Sequence, residues 1–246
     1  MATFDRSDDV RGARFVGADL QGARFTETDL SGVVMRGVEI RDGDIDAPWL
    51  SSLRVNGVDV APYVEAELDR RFPGRELRRA STPGGLREAW AALERTWSAT
   101  LTRAAALPAG SVDISVDGEW TFAQTLRHLI LATNTWLGRG ILEQEQPFHP
   151  LGLADTGAAE EGLDLTLFAT GTPPYEDILK ARADHQTMVR DYIAAATFES
   201  LQVPRKNPHA PQHPETTLSC LHVILEEEWE HHRYAVRDLD TLEAQS

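Results

Sequence analysis

The sequence predicts an α+β chain in parts: a short solenoid over residues 1–60, a connector over 61–80, and a four-helix bundle over 81–246. Two periodicities carry this reading. In the first part large apolar residues recur every five positions, at Phe15, Leu20, Phe25, Leu30, Met35, Ile40, Ile45, Leu50, Val55 and Val60. Small residues precede the early members by two, at Ala13, Ala18, Ala23, Thr28, Val33 and Val38. A period of five fits neither a helix nor a strand. It suits a coil that turns a corner every five residues, with both residue sets pointing inward. From Ser81 onward the period becomes helical.

The elements follow in order. Asn56-Gly57 between valines predicts a tight hairpin, and Pro62 starts a short helix, PYVEAELDRRF, that ends at Pro73-Gly74. The first bundle helix is capped by Ser81 or Thr82, carries the stripe Leu86, Trp90, Leu93, Trp97 and Leu101, and stops at Pro108. The second runs from about Thr121 to Leu142 with Phe122, Leu126, Leu129, Thr133 and Trp136 on one face. A long aperiodic connection over 143–173 leads to the third, with Ile178, Ala181, His185, Met188 and Tyr192 aligned. The loop VPRKNPHAPQHPE precedes the fourth helix, from about Thr216 to Leu242. Four long helices with one crossover-length connection make a four-helix bundle.

Composition narrows function. A net charge of −15 disfavours nucleic acid and anionic membrane as partners. No apolar run approaches the roughly 20 residues that cross a bilayer. The N-terminal MATFDRSDD has no apolar signal core, so a cytoplasmic location is expected. Cys220 is the single cysteine, which rules out an internal disulfide and a Cys-rich zinc motif. Any metal must therefore be held by histidine and carboxylate.

The densest group of such residues is EEEWEHHRYAVRDLD in the fourth helix. Alternating steps of four and three place Leu221, Leu225, Glu228, His232, Ala235 and Leu239 on one core-facing stripe. Cys220, Ile224, Glu227, His231, Tyr234 and Asp238 form a mixed stripe near its edge. Glu226, Glu230, Arg233 and Arg237 fall on a solvated side. A carboxylate and a histidine at i and i+4 can reach one ion from consecutive turns. A buried carboxylate also needs compensation, by a metal or by a hydrogen-bonded protonated partner. His128, midway along the second helix beside the small Thr125, Ala132 and Thr135, is the best third ligand. Two histidines and one carboxylate leave coordination positions open, as a catalytic divalent site requires. Taken singly, each residue has a plainer reading: a satisfied core histidine for His128, a surface salt link for the Glu/His pair. His185 can line the same pocket or simply pack; His222 and His231 are expected at the periphery, and His149, His209 and His213 in exposed loops.

Two resemblances add to this. GARFV-GADLQ-GARFT-ETDLS resembles the pentapeptide-repeat family, which implies a right-handed quadrilateral β-helix, specific from Gly12 to about Ile40. WTFAQTLRHLILATNTWLGRGIL and EEEWEHHRYAVRDLD together resemble the DinB-like superfamily, which includes thiol-dependent S-transferases and the mycothiol-dependent maleylpyruvate isomerase. The fold class so implied is a short quadrilateral β-helix followed by a DinB-like four-helix bundle. Many members carry three histidine ligands; a glutamate at the middle position departs from that majority and is similar to the His/Glu/His arrangement of the isomerase type. The resemblance implies His128, Glu228 and His232 as ligands of a divalent metal, zinc foremost and nickel as the alternative. It implies a metal-dependent transferase or isomerase whose co-substrate is a low-molecular-weight, mycothiol-like thiol acting with a small-molecule electrophile. The other reading is a non-catalytic metal-binding or interaction protein. Pentapeptide repeats include acidic DNA mimics that bind topoisomerases, but residues 1–60 hold seven arginines against eleven acids and form a short rod. A docking or dimerisation appendage, giving a homodimer, is the expectation for that segment.

Overall fold

The computed structural model describes residues 3–245 except 6, 27, 155–157, 160 and 161. Glu27 of the ETDLS repeat, and parts of the predicted 143–173 connection, thus lie outside the described residues. The chain divides into two compact units, Met1–Asp46 and Ala47–Ser246.

The first unit is a series of turns with one device repeated every ten residues. Asp9, Asp19 and Asp29 each accept from the backbone N–H two residues on, at 3.2, 3.0 and 2.8 Å. A turn then closes from Ala13, Ala23 or Val33 onto the carbonyl three residues back, each at 3.0 Å. The third turn residue must take a positive φ, which glycine does without strain; Gly22 sits at 75°. No strand occurs among the described residues of this unit. Phe15, Leu20, Phe25, Leu30, Met35, Ile40 and Ile45 are 44–64% exposed rather than enclosed, which corrects the inward reading. A solenoid buries a layer between neighbouring layers, and a stretch of about two coils has hardly any interior layer.

The second unit opens on a hairpin, β1 (Arg54–Val55) and β2 (Val58–Asp59). Asn56 and Gly57 both have positive φ, as this tight turn demands. Next come α1 (Ala61–Arg71), a short 3-10 turn (Arg75–Arg79), α2 (Pro83–Ala105) and α3 (Phe122–Thr133). The last continues as π-helix over Asn134–Ile141. Beyond the connection lie α4 (Tyr175–Ala195), the single-turn α5 (Phe198–Leu201), strands β3 (Pro204–Lys206) and β4 (Pro214–Thr216), and α6 (Thr217–Ala244). Three caps mark the predicted starts. Thr82 accepts from Gly85, and capping boxes pair Thr121 with Gln124 and Thr216 with Ser219.

Helix α2 packs on α4 and α6, and α3 packs on the same two, which makes the four-helix arrangement. Leu86, Trp90, Leu93, Trp97, Leu126, Leu129, Ile178, Leu221, Leu225 and Leu239 form its core. Three sequence expectations change. In α3 the π-segment, marked by the Leu142 N–H bonding to Leu137 five residues back, rotates the buried face to Leu137 and Ile141 and leaves Trp136 half-buried. In α4 the buried stripe ends on Val189 and Ile193, while Met188 is 37% exposed. The His/Pro-rich loop is a hairpin, with Arg205 opposite Glu215.

The connector is part of the second unit. Arg75 and Arg78 are buried and ion-paired to Glu65 and Asp69 on α1. Arg75 also reaches Glu230, and Arg78 and Arg79 reach Glu226. This corrects the solvated side expected for α6: Glu226 and Glu230 are each only 6% exposed because arginines of the connector cover and neutralise them.

One side chain of α3 makes four ties to the long connection. Arg127, 4% exposed, donates to the carbonyls of Leu151 (3.0 Å), Ala169 (3.1 Å), Gly171 (3.2 Å) and Gly152 (3.4 Å). Leu153 N–H returns a bond to the Arg127 carbonyl at 3.2 Å. Charged donors make the stronger hydrogen bonds, and four carbonyls would lose theirs together. Arg127→Ala is therefore expected to destabilise the fold by about 3 kcal/mol. It should speed amide hydrogen exchange between residues 149 and 171 before the helices are affected; unchanged exchange there would refute the tie.

Candidate metal centre

His128 stands on α3. Glu227 and His231, one turn apart on α6, face it. Glu227 Oε2 lies 3.4 Å from His128 Nε2 and 3.2 Å from His231 Nε2. One donor atom from each of the three falls within 4.8 Å of the other two. The imidazole centroids of His128 and His231 are 4.6 Å apart. Donors held about 2.1 Å from a tetrahedral ion are about 3.4 Å from one another, so the two measured separations fit a shared divalent ion. The side chains are 12%, 21% and 13% exposed for His128, Glu227 and His231, sheltered yet not sealed.

The electrostatics fit the same donor set. Burial pushes the Glu227 carboxyl up, but hydrogen bonding from His128 and His231 overcomes it and holds the group well below the usual carboxylate range. Burial lowers the basicity of His231, and the neighbouring His128 lowers it further. The arrangement is an ionised carboxylate between imidazoles, one of them held toward the neutral form in which it ligates. His128 Nδ1 is buried without a hydrogen-bond partner.

The sequence reading joined His128 to Glu228 and His232. The structure brings only His128 to this cluster, and the other two belong to the core. Glu228 is 1% exposed, and both its oxygens are bound by the Arg182 guanidinium from α4. Burial pushes the Glu228 carboxyl up, against the pull of Arg182. His232 is ringed edge-on by Phe72, Trp97 and Trp229. Its Nε2 lies 2.8 Å from Thr100 Oγ1, whose own proton goes to the Thr96 carbonyl, so Nε2–H is the donor. Burial lowers its pKa to about 4. The difference is one of phase. The stripe through Leu221 and Leu239 is the most buried line of α6, as expected, but the core supplied Arg182 as the compensating charge. The Glu/His pair that faces His128 is one residue earlier, on the flank expected to be peripheral.

Other histidines resolve as packing or surface. His185 donates from Nδ1 to the Ala181 carbonyl at 2.6 Å and accepts from Asn134 at Nε2 at 2.8 Å, so both nitrogens are engaged. His149, expected to be exposed, is half-buried and accepts from Leu151 N–H. His222 is half-buried, with Nε2 2.9 Å from the Ala80 carbonyl. His209 and His213 are exposed. Cys220 is buried, which pushes its thiol up to about 12 and removes it as a nucleophile. Arg182 is the residue that sequence reasoning passed over. It lies one position past Ala181 on the apolar stripe of α4, and a cation there was the available signal that the core holds an ion pair.

Among the described residues no helix is long and apolar enough to cross a membrane. Comparison with curated proteins and with solved structures gave no match. A family model described as pentapeptide repeats matches residues 9–44 in eight copies, and one described as DinB superfamily matches residues 92–235, which spans both helices of the His/Glu cluster up to Ala235. The chain therefore belongs to the DinB superfamily, with pentapeptide repeats ahead of the superfamily domain.

Proposed function

We propose that this chain is a divalent-metal-binding enzyme of thiol chemistry, a metal-dependent thiol S-transferase or thiol-dependent isomerase. His128, Glu227 and His231 are the ligands. The carrying observation is the single carboxylate oxygen of Glu227 at tetrahedral-edge distances from two imidazole nitrogens on different helices. Superfamily membership supports it, since members often bind divalent metals. Nitrogen and oxygen donors suit zinc first and nickel second. A bound ion of this kind lowers the pKa of a thiol that reaches its open position. The protein's own residues set the conditions for that. His128 and His231 offer nitrogen, Glu227 offers one negative charge, and the partial shelter of all three limits water.

The thiol is a co-substrate, mycothiol-like and of low molecular weight. Cys220 is the chain's single cysteine and is buried with its pKa pushed up. The other partner is a small electrophile. A cytoplasmic location, where small thiols stay reduced, belongs to this reading, as does the absence of nucleic acid and membrane partners from so acidic a chain. The repeats form a right-handed quadrilateral β-helix in this reading, supported by eight copies and by turns at fixed ten-residue steps. They serve as a docking or dimerisation appendage.

The test uses full-length protein loaded with zinc. Incubation with a panel of low-molecular-weight thiols and monochlorobimane is expected to give a conjugate that disappears with chelator and returns with zinc. Stoichiometric zinc with no metal-dependent conjugate from any thiol would refute the transferase and leave a metal-binding protein.

A further inference from the structure

Five of the six tryptophans have an evident place. Trp90, Trp97 and Trp229 are at most 2% exposed in the core, Trp136 packs against that core, and Trp49 is 68% exposed. Trp120 differs. It is half-buried yet belongs neither to the core cluster nor to the apolar residues packed against it. Its ring instead lies beside the two imidazoles of the cluster. The centroid is 4.7 Å from that of His128, tilted by 41°, and 6.0 Å from that of His231, stacked within 16°. One indole thus spans histidines contributed by two helices.

Local structure holds it there from both sides. Before it, the Val116–Glu119 turn is closed by Glu119 N–H on the Val116 carbonyl at 2.9 Å, with Asp117 and Gly118 both at positive φ. After it, the Thr121 N–H donates to Gln124 Oε1 at 2.9 Å, and the Gln124 N–H donates to Thr121 Oγ1 at 3.1 Å. A tryptophan fixed between a closed turn and a helix cap loses little further entropy when it meets the imidazoles.

We infer that Trp120 is a positioning residue of the metal centre, an aromatic wall that aligns the His128 and His231 rings and keeps water from one flank of the ion. This rests on the metal reading above. Ligand rings are normally held by outer contacts to their far side, commonly a hydrogen bond to the second nitrogen. His128 Nδ1 has none. Contact with the tilted indole is a restraint that this ring has instead. An indole ring also presents mostly apolar surface, so water beside it meets fewer hydrogen-bonding partners.

Chelator competition on zinc-loaded, full-length protein tests this with no assay of activity. Trp120→Ala is expected to release zinc to excess EDTA about 10-fold faster than the parent, the lower end of what outer contacts to ligands are worth. Trp120→Phe, which keeps a flat ring, should stay within about twofold of the parent on the same scale. Both variants should bind zinc stoichiometrically, and their metal-free forms should melt like the parent. Release from Trp120→Ala at the parent rate would overturn the inference. So would equal acceleration in Trp120→Phe, or a lowered melting temperature in the metal-free Trp120→Ala protein, which would make the residue structural. A parent protein that binds no zinc or nickel fails at the earlier step and sinks the metal centre itself, so the two failures are distinguishable.

Discussion

Glu227→Ala and His231→Ala are expected to strip tightly bound metal from the purified protein, whereas Glu228→Gln is expected to retain it. The two glutamates are consecutive in sequence and both sit four residues before a histidine, so the comparison isolates direction in space. Glu227 Oε2 lies within 3.4 Å of imidazole nitrogens on α3 and α6, while both Glu228 oxygens are occupied by Arg182. Loss of an outer contact to a metal ligand costs about 10–100-fold in affinity, and loss of a ligand costs more. His128→Ala should behave as the Glu227 and His231 variants do. The measurement is elemental analysis after dialysis against a weak chelator, with circular dichroism to show that each variant is folded. Metal lost from Glu228→Gln but kept in Glu227→Ala would reverse the assignment and restore the core-stripe site.

The second large effect concerns stability. Arg182 is 2% exposed and Glu228 1%, and the guanidinium also lies over the Trp97 ring, 5.9 Å from its centroid. Removing one partner leaves a charge buried without compensation. Arg182→Met alone, or Glu228→Leu alone, should therefore destabilise the fold by about 3–5 kcal/mol in urea unfolding. The double variant Arg182→Met with Glu228→Leu removes both charges at similar volume. Its expected stability is close to the parent or higher by about 1–4 kcal/mol, because two desolvation penalties vanish with one attraction. Single-variant losses that simply add in the double variant would show that the pair is not coupled. The pair shares no residue with the proposed metal centre, so chelation should not change the size of the coupling.

The helices were legible because their signals are local. Thr82, Thr121 and Thr216 cap where a hydroxyl can accept an N–H within its own first turn, and the Asn56-Gly57 turn needs only its own φ angles. His128 was legible as a histidine held on a largely apolar helix. The π-segment after Thr133 was not, since five-residue hydrogen bonding leaves no mark in residue type, and it turned the face beyond it. The cover over Glu226 and Glu230 was not legible either. It depends on Arg75, Arg78 and Arg79, some 150 residues away in the chain, folding back onto α6.

EEEWEHHR shows where the boundary falls. The run contains two Glu-to-His steps of four residues, Glu227 to His231 and Glu228 to His232, and helix geometry makes each a competent pair of ligands. Hydrophobic phase correctly marks the second pair as the more deeply buried. Burial alone does not make a metal site, because the charge it strands can be met by any opposite charge that the fold delivers. Here α4 delivers Arg182 to Glu228, α2 delivers Thr100 to His232, and α3 delivers His128 to the flanking pair. Chain-local chemistry decides which residues are able to ligate; the packing of four helices decides which of them meet.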